Sequence, residues 1–320
     1  MRGPMKTKVS CCALLLLTTW YVAGSAQDSI DRDQEQLLTQ PIQRFDPAHQ
    51  EALSYSDDSV QATLVIAPGH HSLRILNRAT KREILFNLPS EMAQVDEMRR
   101  GFGGKLIVRG MVNASSSEIV LVDPRSNKLL DKFLCYLPSP SPDGRYIAFI
   151  KFYPLHFAGN IEDHYMIYDV AKDGKENRPS GLVNDMTNIG VPVYPFQIGN
   201  KVGDNVELPD GPVHHSVSAG FFWKPDSTQF LFADRLEPQN EFNLILVDID
   251  RNGRITVRAA RQPDDPFCSV LRDPQQNSSC NVLVRKVDFY PAPKSALKIW
   301  FEIVNIQKVL SREFSLSQFK

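Results

Sequence analysis

Four short β-rich runs, each closed by Asn or Asp, recur along the chain and constrain its fold more than any other feature. They are Leu73-Arg74-Ile75-Leu76-Asn77, Ile119-Val120-Leu121-Val122-Asp123, Tyr165-Met166-Ile167-Tyr168-Asp169 and Leu244-Ile245-Leu246-Val247-Asp248. The closing residues are separated by 46, 46 and 79 positions, so the last interval is one period plus an insertion. Each is followed by polar turn formers, at 78–81, 124–128, 172–175 and 250–254. Asn and Asp side chains bond the backbone two residues on, so a hairpin is expected at every one of these places.

A strand follows the turn at 83–86, 129–134 and 255–258, whereas 176–180 is polar and holds a proline, so the outer strand of the third unit is expected to be short or displaced. Upstream of the four runs lie further strands at 62–67, 105–108, 146–151 and 229–233, with a fifth example at 297–301. Strand, loop, strand, tight turn, strand at a fixed period is what a propeller blade requires, because one small sheet cannot bury both of its faces alone. The expectation is an all-β chain, a β-propeller-like repeat of antiparallel sheets with about five countable blades and five to seven possible. Only 33–40 and Ser90–Arg99 have a composition suited to a helix.

The first 26 residues read as a secretory signal, with Arg2, Lys6 and Lys8 ahead of an apolar run from Val9 to Val22 and the small residues Gly24-Ser25-Ala26 before a cut. That run is shorter than the ~20 residues a spanning helix needs. The remaining organisation is a polar segment at 27–56, the repeats at 57–304 with an insertion at about 181–218, and a C-terminal tail at 305–320. Export places the protein in the periplasm or outside the cell, with no membrane span once the signal is removed. In that oxidising setting Cys268 and Cys280, which flank a polar loop, are expected to form a disulfide contributing about 2–3 kcal/mol. Cys135 sits in a strand-like run and reads as a buried thiol. With 36 Lys plus Arg against 37 Asp plus Glu, the chain has no global attraction for nucleic acid or an anionic membrane.

The segment Ser141-Pro142-Asp143-Gly144-Arg145-Tyr146-Ile147-Ala148-Phe149 resembles the signature of TolB-like propeller repeats, also called Pro-Asp-Gly repeats. Trp223 to Ala233 is similar, with Ser227 in place of Gly. Physically the motif is a turn feeding a strand: Pro restricts φ, Asp and Gly make the bend, and the apolar residues enter the sheet. The resemblance implies an exported interaction scaffold, or the non-catalytic gate of a serine peptidase. The nearest thing to a nucleophile elbow, Ser216-Val217-Ser218-Ala219-Gly220, carries Ser where the sharp turn wants Gly.

Loops on a rigid scaffold carry binding, so the insertion is the first place to look for a site. Its candidates are Tyr194, Phe196, Asp210, His214 and His215, aromatics, a carboxylate and imidazoles able to grip a protein, peptide or glycan. The pairs His70-His71 and His214-His215 raise the question of a metal, but neighbours on a strand face opposite sides and no Cys-x-x-Cys or His-Glu-x-x-His spacing accompanies them. No metal, no cofactor and no catalytic residue is therefore assigned. The reading is a non-enzymatic binding or scaffold protein. Its rivals are a secreted hydrolase or lyase with a site at the propeller mouth, and a structural envelope component.

Overall fold

The computed structural model describes residues 53–67, 70–113, 116–151, 165–172, 174–178, 189–194, 207–208, 211–212, 214–217, 220–237, 241–262, 282–291, 293–303 and 308–320. They form antiparallel sheets of four, seven, two, five and three strands; the seven-stranded one turns at its fourth strand into two packed units, the second and third of five in succession. The first holds β1 (Ser54–Ser56), β2 (Val60–Ala67), β3 (His70–Asn77) and β4 (Arg82–Asn87), and the second holds β5 (Gln94–Arg100), β6 (Leu106–Met111), β7 (Ser117–Asp123) and β8 (Lys128–Pro140). The third adds β9 (Tyr146–Lys151), β10 (Tyr165–Asp169) and β11 (Val191–Tyr194). A two-stranded hairpin, β12 (Glu207–Leu208) and β13 (Gly211–Pro212), precedes the fourth. That sheet orders β14 (His214–Val217), β16 (Gln229–Glu237), β17 (Glu241–Ile249) and β18 (Ile255–Gln262), with β15 (Phe222–Trp223) also on β16. The fifth holds β19 (Val282–Tyr290), β20 (Ala296–Ile303) and β21 (Lys308–Ser315).

The second and third sheets share β8. Its first half pairs with β7 and its second half with β9, and Cys135 faces partners on both sides, Ser117 and Lys151. The switch falls where the register breaks between Tyr136 and Ser139, at Leu137 with φ 46°. Two arginines of the second sheet satisfy carbonyls that the bend leaves free: Arg109 donates to Pro138, and Arg99 to Pro140, Ser141 and Pro142.

Strand alternation explains why the sheets stack. Leu106, Val108, Val120 and Val122 pack on the first sheet, while Ile107, Ile119, Leu121 and Phe133 turn to the third. In the third, Tyr146, Ala148, Ile150 and Tyr165 pack on Phe230, Phe232 and Ile245 of the fourth. Leu231, Ala233 and Leu244 of the fourth then meet Leu297, Ile299 and Phe301 of the fifth. A sheet covered on both faces reads as a continuous apolar run, as at Tyr146–Ile150, where every residue is buried. Four such cores join five sheets in a row in propeller fashion. Among the described residues no apolar cluster joins the fifth sheet to the first.

Several boundaries differ from the sequence reading. The helix candidate Ser90–Arg99 is instead mostly β5, because Val95 and Met98, separated by a bulge at Asp96, both bury toward the first sheet. Asn77, Asp123 and Asp169 cap their turns as expected, each accepting from the N–H two residues on. In the fourth unit Asp250 does this, for Asn252 and Arg254, while Asp248 is held by Arg258 and Gln229. The outer strand of the third unit is β11, only four residues long and lying inside the 181–218 span, as is β14 of the fourth sheet. Residues 308–315, read as part of a tail, are a strand because Val309 and Phe314 have buried positions to fill. Residues 1–26, the 33–40 helix candidate, Cys268 and Cys280 lie outside the described residues.

Candidate functional site

The residues singled out in the insertion are not brought together by the described backbone. Tyr194 ends β11 opposite Tyr165, whereas His214 and His215 pair with Glu237 and Leu236 in the next sheet. Phe196 and Asp210 lie outside the described residues. His71 meets the carbonyl of Ala93 at 2.9 Å, and Cys135 is fully buried with its thiol pushed far up by desolvation. Among the described residues no group of three or more His, Cys, Asp or Glu could hold a metal ion, and no helix is long and apolar enough to cross a membrane.

A cleft of about 630 Å³, mostly apolar with one polar end, lies elsewhere, between the third and fourth sheets. It is built from the turns upward. In the Ser141–Gly144 turn Asp143 accepts the Ser141 hydroxyl at 2.6 Å and the Arg145 N–H at 3.0 Å, and Ser141 Oγ accepts the Tyr146 N–H at 2.9 Å. Gly144 has φ 70°, and a Cβ there would lie 2.4 Å from the Arg100 carbonyl oxygen, so only glycine lets the turn sit against the second sheet. The matching turn of the fourth sheet has Ser227 at φ 61°, and its hydroxyl accepts the Asp143 N–H at 3.0 Å. Serine replaces glycine in this repeat because its side chain ties the two motifs together.

This scaffold fixes Arg145 and Tyr146 at the head of β9. The guanidinium sits 5.0 Å from the Tyr146 ring centroid and 5.6 Å from that of Phe102, and its Nε is 3.7 Å from Asp169 Oδ1. The Tyr146 side chain lines the cleft, the residue is only 5% exposed, and its hydroxyl has no hydrogen-bond partner among the described residues. Burial, first of all, holds that phenol above its ordinary pKa. Gly253, at φ 78° in the β17–β18 turn, leaves space beside it: a Cβ there would stand 3.4 Å from the hydroxyl. Asp169 and Lys172 complete the polar end, and Ile167, Val191, Pro192, Val193, Ile255 and Val257 form aliphatic walls.

A buried ion pair anchors the loop behind this end. Arg178 reaches Asp131 with both nitrogens, at 2.6 and 2.7 Å, and Tyr168 donates to the same carboxylate at 2.8 Å. Asn177 bonds the Asp169 backbone twice, which holds Asp169 at the mouth of the cleft. Glu97 and Arg99 of β5 and Arg109 of β6 pair with one another and with backbone carbonyls of β8 and the turn after it. Sequence reasoning treated Tyr146 as part of a turn-and-strand motif. Arg145 and Tyr146 occupy the two positions that the motif leaves open between its Gly and its apolar residues, so the motif itself carried no signal for a site.

No protein-family model matches the chain, and no curated protein matches it in sequence. Among solved structures it is similar to Kuenenia stuttgartiensis hydrazine synthase, at 14% identity and TM-score 0.36, covering 79% of this chain and 61% of that one. A structure of prolyl endopeptidases matches at 12% identity and TM-score 0.42, covering 95% of this chain and 40% of that one. TolB from Acinetobacter baumannii matches at 10% and 0.25, covering 80% and 52%. The chain thus spans less than two thirds of these proteins, and with TM-scores no higher than 0.42 the fold rests on the sheet order and registers.

Proposed function

We propose that this protein is an exported, non-catalytic propeller-type binding protein that takes a peptide segment of a partner into the cleft between its third and fourth sheets. The observation that carries this reading is the cleft itself, with aliphatic walls and Tyr146 in its lining, whose hydroxyl is buried and has no hydrogen-bond partner among the described residues. A buried donor without a partner costs about 1–3 kcal/mol, and a ligand that supplies the acceptor recovers it. The cleft volume falls within the range of ligand sites. Its walls are aliphatic, which suits peptide side chains better than the faces of sugar rings.

The test is a fluorescence-anisotropy screen of the mature protein against a positional-scanning library of acetylated peptides, repeated with Tyr146→Phe. The wild type is expected to hold a defined subset. The variant is expected to bind that subset about 5–30-fold more weakly, the equivalent of about 1–2 kcal/mol, without any loss of thermal stability. Equal binding by the two proteins refutes the assignment. Export is tested by fusing residues 1–26 to a reporter; retention of the fusion in the cytoplasm removes the signal assignment.

A further inference from the structure

We infer that the polar end of the cleft is built for an uncharged carboxamide, so that the bound segment is read through an Asn or Gln side chain. The inference rests on the peptide-binding reading above and adds the chemistry of the residue that the site selects.

Three polar atoms surround the space in front of Gly253. A Cβ at that residue would stand 3.4 Å from the Tyr146 hydroxyl, 3.7 Å from Arg145 Nη2 and 4.0 Å from Asp169 Oδ2. With φ at 78° and no side chain of its own, Gly253 leaves that space to a ligand. The Tyr146 hydroxyl has no hydrogen-bond partner among the described residues. Asp169 spends Oδ1 on the Ala171 N–H at 2.9 Å, and Arg145 Nε meets the same oxygen at 3.7 Å, which leaves Oδ2 and Nη2 for a ligand.

The pattern of donors and acceptors decides what fits. Burial raises the phenol pKa, Arg145 works against the rise, and Asp169, Asp143 and Asp250 add to it, so the hydroxyl keeps its proton and donates. A guanidinium only donates and an ionised carboxylate only accepts. The space therefore asks for an acceptor and a donor side by side. A carboxamide carries both on one planar group: its oxygen takes bonds from Tyr146 and Arg145, and its NH2 gives one to Asp169. Charge disfavours the alternatives. A ligand carboxylate would face the three carboxylates around the phenol and give Asp169 Oδ2 no donor, while an ammonium would face Arg145 and Lys172 and offer no acceptor to Arg145 or the phenol. The methylene stem of Asn or Gln would lie along the aliphatic wall of Ile255 and Val257.

The probes are the tightest acetylated peptide of the library and its single substitutions at each position, measured by fluorescence anisotropy against wild type, Tyr146→Phe and Asp169→Asn. One position is expected to require Gln or Asn, with the isosteric Glu or Asp, and Lys, binding at least about tenfold more weakly there. Asp169→Asn keeps an oxygen for the Ala171 N–H but presents an NH2 where Oδ2 stood, so it should reverse the choice and favour Glu over Gln. A merely structural Asp169 would weaken every peptide alike. Should that variant fail to melt cooperatively, the Gln-to-Glu ratio on wild type decides. Binding that depends on Tyr146 but prefers Glu, Lys, Ser or apolar residues at every position overturns the carboxamide and leaves the cleft as the site. A folded Asp169→Asn that keeps the wild-type order of Gln over Glu overturns it too. Equal binding by wild type and Tyr146→Phe, or no binding by any peptide, overturns the proposed function and this inference with it.

Discussion

Replacing Glu118 by Gln should stabilise the protein in a way that depends on pH. Glu118 lies on β7, is 0% exposed, and neither carboxylate oxygen has a hydrogen-bond partner among the described residues. The nearest cation is Lys132 Nζ at 3.8 Å, itself shared at 3.8 Å with Glu91. Burial raises the carboxyl from 4.5 to about 7; Lys132 works against the rise and Glu91 adds to it. Because the folded pKa exceeds the unfolded one, the native state holds a proton that the unfolded chain has already lost between these two values. Stability therefore falls as pH climbs from about 4.5 to about 7, and the full penalty, about 3 kcal/mol, is reached above the folded value. A neutral amide escapes it. Urea unfolding of wild type and Glu118→Gln should give nearly equal stabilities at about pH 4 and a variant more stable by about 3 kcal/mol at about pH 8. A difference that does not change with pH would refute the reasoning, since every other titrating group is common to the two proteins.

Arg178→Met leaves Asp131 buried and unpaired, so it should cost about 3–5 kcal/mol, measured by denaturant unfolding, whereas replacing both partners with apolar residues should recover much of that loss. Ser227→Gly loses the acceptor for the Asp143 N–H, about 1 kcal/mol, and relieves the left-handed cost of a Cβ at φ 61°, about 1–2 kcal/mol, so its net effect should be close to neutral. Ser227→Ala loses the same acceptor but keeps the left-handed cost that Ser227 already carries, so it should be about 1 kcal/mol less stable than wild type and melt lower than Ser227→Gly. Gly144→Ala drives a Cβ against the Arg100 carbonyl and should be the most damaging of the three turn substitutions by thermal melting.

Much of the fold was legible because its causes are local. Alternating apolar residues and an Asn or Asp at a turn report strands and hairpins through neighbours a few positions apart, and Tyr146–Lys151 is a strand with the bounds read from the sequence. Where two acidic residues compete for one turn, as Asp248 and Asp250 do, spacing favoured the wrong one, because Arg258 across the hairpin claims Asp248. The passage of β8 from one sheet to the next ran through Pro138 and Pro140, which look like the end of a strand when the arginines that satisfy their carbonyls are out of view.

The sequence by itself determined the β-rich repeat, its period and the turn chemistry, since each follows from bonds and side-chain directions within one hairpin. The tertiary structure alone decided which faces meet and where a gap is left between them. The cleft joins Tyr146, Asp169, Val191 and Gly253, residues drawn from two sheets and spread over more than a hundred positions. Its concavity comes from how far β11 and β18 stand apart, a distance that depends on the packing of large side chains in the core beneath them and on no local pattern in the chain.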